Sequence, residues 1–233
     1  MSTIAGLDTA TDDVSVAVVR DGDVVAERLV PKPPTGHPKH SEALMVELEA
    51  VVSESGGWER IDFLAAGVGP GSFTGLRVGL ATARAIAQAI GKGVAPVGTL
   101  TALARGIAEA ASGTAQPLLP VLDARRRQAF AALFAPDGDQ GWEPFVASPD
   151  QLAERVASLQ ETALAAGSGA LRFRSELEAA GAEVLPDSDS AHRVWARHVC
   201  RLAEDSAPSP PEAIQPIYLR PPDAQVWLER DSP

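Results

Sequence analysis

The chain has one cysteine, Cys200, among its 233 residues. No internal disulfide can form, and the thiol's place in an Ala-, Arg- and Val-rich helical stretch reads as a buried structural group rather than a nucleophile. Such usage suits a reducing cytoplasm. Cations are also in short supply: 20 Lys and Arg face 31 Asp and Glu, a formal charge of −11, which opposes a direct, sequence-independent grip on nucleic acid. Any role on nucleic acid would need a basic partner. No window approaches the roughly 20 apolar residues of a membrane span. The opening MSTIAGLDTATDD has neither the basic start nor the long apolar run of a signal peptide. The expected location is cytoplasmic. At 45% hydrophobic and 22% charged residues, the chain reads as folded, with length for one large or two small domains.

The chain then divides into alternating elements. Ile4 to Leu7 is a short apolar strand ending at Asp8; Ser15 to Arg20 and Val24 to Val30 form a hairpin through Asp21-Gly22-Asp23. A proline-rich loop, residues 31 to 39, leads to a helix over Ser41 to Ser55, with Ser41 as its cap and Leu44, Leu48, Val51 and Val52 on one face. A strand at Phe63 to Val68 precedes the stretch GVGPGSFTGLRVGLATARAIAQAI, residues 67 to 90: strand end, glycine loop, then an Ala-rich helix with Ser72 able to cap it. Arg77, Ala81, Arg84 and Gln88 form its one narrow polar stripe, so its remaining faces are expected to pack, either wholly within an α/β domain as a core helix or with one face shared with a partner subunit. Val94 to Val97 is a strand, and Thr99 to Ala111 a helix capped by Thr99.

The polar stretch Ser112 to Gln116 marks the expected domain boundary, giving domains over 1–115 and 116–220 and a tail over 221–233. The second half starts like the first: Leu118 to Leu122 ends at Asp123 as the first strand ends at Asp8, and a strand from Gln128 to Ala135 follows, which hints at a duplicated α/β unit. Pro149 to Gln160 (helix), Thr162 to Ala166 (strand), Leu171 to Ala180 (helix), Glu183 to Leu185 (strand) and Ala191 to Glu204 (helix) complete it. The order suggests mixed sheets flanked by helices, as in ribonuclease H-like domains.

The glycine loop is not a nucleotide loop of the common kinds. A P-loop needs Lys directly after its closing glycine, where Leu76 follows Gly75. A dinucleotide fingerprint needs glycine where Thr74 stands. Nor is Ser72 in a G-x-S-x-G setting; His37, His40, His192 and His198 cannot be placed beside it from sequence. The last two, six apart on one expected helix, fall on different faces and read as surface residues.

Gly69-Pro70-Gly71-Ser72-Phe73-Thr74-Gly75-Leu76-Arg77-Val78-Gly79 resembles the signature of the TsaB (YeaZ) family of bacterial tRNA threonylcarbamoyladenosine biosynthesis proteins. Leu7-Asp8-Thr9, His40-Ser41-Glu42, Leu122-Asp123-Ala124-Arg125-Arg126 and Pro216-Ile217-Tyr218-Leu219-Arg220 resemble it in the family's order. The resemblance implies two domains of the actin, Hsp70 and sugar-kinase type. It also implies a non-catalytic dimerisation subunit that pairs directly with TsaD, the subunit transferring the threonylcarbamoyl group to adenosine 37 of tRNA. TsaE, an ATPase, would join through the complex, tRNA contact would be indirect, and the chain alone would form a homodimer.

Set against TsaD-like chains, the metal-binding His-x-x-x-His pair is missing from residues 97–103, and His37 and His40 straddle Pro38 in a loop with no acidic cluster. The first phosphate hairpin has Ala10 where Asp-x-Gly is expected, and the second carries Arg125, Arg126 and Arg127. Asp8 and Asp123 are therefore read as vestigial phosphate positions, with no catalytic residue, metal or cofactor expected. The expected interface comprises His40, Leu44, Leu48, Arg77, Ala81, Arg84, Ala85 and Gln88. Two alternatives stay open: an active nucleotide-dependent transferase using Asp8 and Asp123, and a homodimeric interaction protein with an unrelated partner.

Overall fold

The computed structural model describes residues 2–38 and 40–220; the expected tail, 221–233, with Trp227, lies outside them. Strands β1 (Thr3–Asp8), β2 (Val14–Arg20), β3 (Asp23–Val30), β4 (Phe63–Gly67) and β5 (Val94–Val97) form one sheet in the order β3-β2-β1-β4-β5. β1 runs antiparallel to β2 and parallel to β4. The β2–β3 hairpin turns on Asp21 and Gly22, both at positive φ (50° and 83°), the geometry that suits the twist of paired strands.

The second sheet holds β6 (Leu118–Arg125), β7 (Gln128–Phe134), β8 (Gln140–Ala147), β9 (Leu164–Ala166) and β10 (Glu183–Val184) in the order β10-β9-β6-β7-β8. Here β6 takes the place of β1, antiparallel to β7 and parallel to β9. The two sheets thus share one topology, and the duplication hinted at by Asp8 and Asp123 is real.

Helices α1 (His40–Glu54) and α2 (Phe73–Ile90) cover one face of the first sheet. Leu44, Leu48, Val51, Leu80, Ala83 and Ala87 are packed there against Ala5, Leu7, Val16 and Leu64. On the other face lie α3 (Thr99–Ala110) and α7 (Ala196–Ala203), and their core is shared with the second sheet through Leu122, Phe130, Ala132 and Leu164. The far side of the second sheet presents Leu119, Val121 and Ala131 to α4 (Pro149–Ala157), α5 (Ser168–Arg172) and α6 (Arg174–Ala179). Along β6, Leu118 and Leu122 thus face one layer and Leu119 and Val121 the other, the period of two expected of a strand.

The range expected for a second domain, 116–220, ends on the first sheet. α7 lies across β1 and β2, Ser209 bridges to Val94, Ile214 enters the α1–α2 core, and the Ile217 amide donates to the Val68 carbonyl. Gly6 in β1 makes this possible: a β-carbon there would stand 2.3 Å from the Cys200 Sγ. Arg197 fastens α7 to β3 through Glu27 at 2.8 Å.

Other local expectations shift. α1 has begun by His40, so Ser41 is inside the helix rather than its cap. Gly98, not Thr99, precedes α3, and the Thr99 hydroxyl is used elsewhere. β8 is hidden from sequence by Gly141, Glu143 and Pro144, which break its apolar alternation. The helix expected over Ala191–Glu204 is a 3₁₀ turn at Ser190–His192 followed by α7. His192 and His198 are therefore not on one helix, and both are buried.

Burial pushes the Cys200 thiol well above its ordinary range, so the thiolate needed for reaction is suppressed. A maleimide reagent is expected to leave the native protein unmodified and to label Cys200 fully in denaturant, read by intact mass; rapid native labelling would contradict this packing. Among the described residues, no helix is long and apolar enough to cross a membrane.

Candidate cleft and outward helix faces

The glycine loop is a steric fit to the end of β1. Ser72 caps α2, its hydroxyl accepting from the Gly75 amide at 3.2 Å, while its own amide donates to the Ala10 carbonyl at 2.6 Å. The Thr9 hydroxyl donates to the Gly75 carbonyl at 2.8 Å. A β-carbon at Gly71 would stand 2.2 Å from the Ala10 carbonyl oxygen, one at Gly75 1.9 Å from that of Thr9, and one at Gly79 2.2 Å from the Thr9 Oγ1. Gly71, Gly75 and Gly79 recur every four residues, so they share one side of the loop and helix, and that side lies on residues 9 and 10. Gly69 accounts for a further constraint, holding φ at 101° beside the Ile217 carbonyl. Phe73 and Thr74, with Ser72, face a cleft.

That cleft, about 940 Å³, opens between the two sheets. The residues that would be phosphate positions are treated differently. Asp8 is 1% exposed and does not line the cleft. Its carboxyl accepts from the Ala10 amide at 2.8 Å and the Thr99 hydroxyl at 2.9 Å, and Thr99 in turn accepts from the Gly69 amide. Burial lifts its pKa to about 6 against the lowering effect of those two bonds. Asp123 does line the cleft; its amide donates to Ser168, and its carboxylate holds the Arg172 guanidinium at 2.7 Å.

The β6–β7 turn carries Arg125, Arg126 and Arg127 at φ of 63°, 50° and 54°. Left-handed backbone costs a residue with a β-carbon about 1–2 kcal/mol, so surrounding contacts must hold this turn. Arg125 is held by Asp12, and its guanidinium keeps the Asp12 carboxyl below its ordinary range although partial burial acts the other way.

A phosphate-bound nucleotide with its metal does not fit these residues. The first-sheet carboxylate is sequestered beneath Thr99, and Arg125 and Asp12 meet between the two loops that would flank a phosphate. Among the described residues no group of three or more His, Cys, Asp or Glu could hold a metal. His37 is exposed in its loop. The buried His40 sets its Nε2 2.8 Å from the Thr11 carbonyl, tying α1 to the β1–β2 turn. His192 accepts from the Gly167 amide through Nδ1. Among the described residues neither ring nitrogen of His198 has a hydrogen-bond partner, and burial pulls its pKa down to about 4.

The residues expected at an interface separate into two groups. Arg77, Ala81, Ala85 and Gln88 are exposed along α2. Arg84 is half-buried and donates to the Ile214 carbonyl. His40, Leu44 and Leu48 correct the expectation: they are 5%, 1% and 0% exposed and turned into their own chain, out of a partner's reach. Leu44 and Leu48 sit on the apolar stripe that binds α1 to its sheet, and that stripe is what sequence periodicity detects. The large apolar side chains α1 offers outward are Met45 and Val46, 46% and 65% exposed. Sequence reasoning also missed the roles of Asp12, Thr99 and Arg172 and the Phe73–Tyr218 ring contact at 5.2 Å, with Arg77 over the Phe73 ring. None of these has a local signal.

A duplicated ribonuclease H-like sheet, with helices between the copies and a cleft at the ends of β1 and β6, is a fold of the actin, Hsp70 and sugar-kinase type. A sequence model for the family described as TsaD, tRNA N6-adenosine threonylcarbamoyltransferase, matches residues 30–175. The tRNA threonylcarbamoyladenosine biosynthesis protein TsaB of Escherichia coli (strain K12) is 28% identical over 229 residues, covering 93% of this chain and 94% of that protein. An uncharacterized protein of Mycobacterium tuberculosis (strain ATCC 25618 / H37Rv) is 30% identical over 228 residues, covering 97% and 95%. The solved structure of YeaZ from Pseudomonas aeruginosa superposes with a TM-score of 0.76 at 23% identity, over 94% of this chain and 100% of that one. The chain belongs to the family that the TsaD model describes and is homologous to the TsaB (YeaZ) proteins.

Proposed function

We propose that this chain is a non-catalytic partner of a TsaD-type transferase in forming N6-threonylcarbamoyladenosine at position 37 of tRNA, and that α1 and α2 form the contact. The observation carrying this reading is the outward face of those helices. Met45 and Val46 on α1 and Ala81 and Ala85 on α2 are exposed, while the same helices bury their other faces in the chain's own core. Small residues along α2 allow another helix to approach closely, and Arg77 and Gln88 supply a polar rim. The likeness to E. coli TsaB over 93% of the chain supports the assignment to tRNA modification. The sequestered Asp8 supports a supporting rather than a catalytic role. In this reading the chain pairs with itself through the same face when alone, exchanges that contact for TsaD, meets TsaE through the complex, and touches tRNA indirectly.

Ala81→Glu or Ala85→Glu places a charge on this face without entering the core. Each is expected to weaken co-purification with TsaD at least tenfold, about 1.4 kcal/mol, and to shift the free protein from dimer to monomer in light scattering. Undiminished TsaD capture by both variants would remove α2 from the interface.

A further inference from the structure

Two loops from corresponding places in the duplicated fold meet at the cleft: residues 9–13, between β1 and β2, and residues 125–127, between β6 and β7. Arg125 sets Nη2 at 2.6 Å from both carboxylate oxygens of Asp12, which also takes the Lys32 ammonium at 3.3 Å. On its other side Arg125 reaches Asp123 at 3.3 Å, and Asp123 holds Arg172. Charges thus alternate in sign along Lys32, Asp12, Arg125, Asp123 and Arg172, from the first sheet's loops to α5. The neighbouring position repeats the device, with Arg193 Nη1 2.7 Å from Asp13.

Isolated exposed ion pairs contribute little, but a close, charge-assisted contact set within a network of charges is the stronger case. The acids here are largely shielded, with side-chain exposures of 31% for Asp12, 16% for Asp13 and 11% for Asp123. The left-handed backbone at Arg125 aims that guanidinium across the gap, and a residue with a β-carbon keeps such a conformation only where its contacts hold it.

We propose that these loops form an internal clasp. The carboxylates of Asp12 and Asp13 meet, from within the chain, the arginines that would otherwise receive the anionic groups of a ligand bridging the two halves, and they keep the cleft fastened without such a ligand. The clasp is a property of the free chain and is separate from the α1–α2 face. It also explains why Arg125 and Arg193, cations in an acidic protein, stand at the cleft beside Asp12 and Asp13.

The test compares the full-length wild type with Asp12→Asn/Asp13→Asn, in which the asparagine oxygen at 13 can still accept from the Lys32 amide as Asp13 does. Hydrogen exchange of the amides over residues 123–128 is expected to rise about tenfold in the double variant, the effect of losing roughly 1.4 kcal/mol of local restraint. Calorimetric titration with inorganic pyrophosphate is expected to show binding to the double variant and none to the wild type. Arg125→Gln, which removes the cation instead, is expected to raise exchange without creating pyrophosphate affinity; circular dichroism of each variant establishes that it is folded. Unchanged exchange in the double variant, or pyrophosphate bound no more tightly by it than by the wild type, overturns the proposal. Neither result depends on whether TsaD binds the α1–α2 face.

Discussion

Gly75→Ala is expected to destabilise the protein by about 3 kcal/mol, at the upper end of what an added methyl group does in a packed interior. The new β-carbon would fall 1.9 Å from the Thr9 carbonyl oxygen and 3.0 Å from the His40 ring. The first obstacle is backbone, which cannot swing aside as a flexible side chain can. Relief requires lifting α2 off the end of β1, which breaks the Thr9 to Gly75 hydrogen bond and the Ser72 to Ala10 contact together. For a chain of this size the loss lowers the melting temperature by roughly 10 °C. Gly141→Ala is the matched control: the added carbon meets Leu133 at 3.5 Å, an ordinary contact, and its effect should stay within about 0.5 kcal/mol. Equal melting temperatures for Gly75→Ala and wild type would show that the motif's glycines do not serve this close approach.

Asp8→Asn is expected to stabilise the protein at neutral pH and to leave it unchanged in acid. The folded carboxyl holds its proton to about pH 6, against 3.8 for the ordinary group, chiefly because burial disfavours the charge. Its contribution to stability is therefore whole below pH 3.8 and is lost as pH rises through about 6. Each pKa unit is worth about 1.4 kcal/mol, so the ionised carboxylate costs about 3 kcal/mol at neutral pH. Asparagine keeps an acceptor for the Ala10 amide and carries no charge. Urea midpoints of wild type and variant should differ at about pH 7.5 and converge near pH 4; a gap of the same size at both would sink the electrostatic account. His198 acts in the opposite sense, its folded pKa depressed to about 4 from 6.5 by burial, so its contribution is whole above 6.5 and is lost as pH falls. Comparing variant with wild type at each pH cancels that second effect.

Much of the architecture was legible because strands and amphipathic helices write their period into short stretches of chain. The β2–β3 turn at Asp21-Gly22, β5 at Val94–Val97 and the Ser72 cap stand where local chemistry places them. β8 did not announce itself, since an edge strand carrying Gly141 and Pro144 has no clean alternation. The interface was half legible for a related reason. Periodicity shows which side of α1 is apolar, and an apolar side is equally consistent with a partner and with the chain's own sheet. Leu44 and Leu48 took the second course and left Met45 and Val46 outside.

By itself, the sequence determined the order of elements through the first sheet and its helices, the capped glycine-loop helix, the duplicated plan and the resemblance to the TsaB family, because each rests on residues close together in the chain. Tertiary structure alone decided that α7 returns to the first sheet over Gly6, that Asp8 is withdrawn beneath Thr99, and that Asp12 meets Arg125 across 113 positions of sequence. Those contacts depend on how two sheets are set against each other. That arrangement comes from burying one apolar layer between them, and no local run of residues records which distant side chains it brings together.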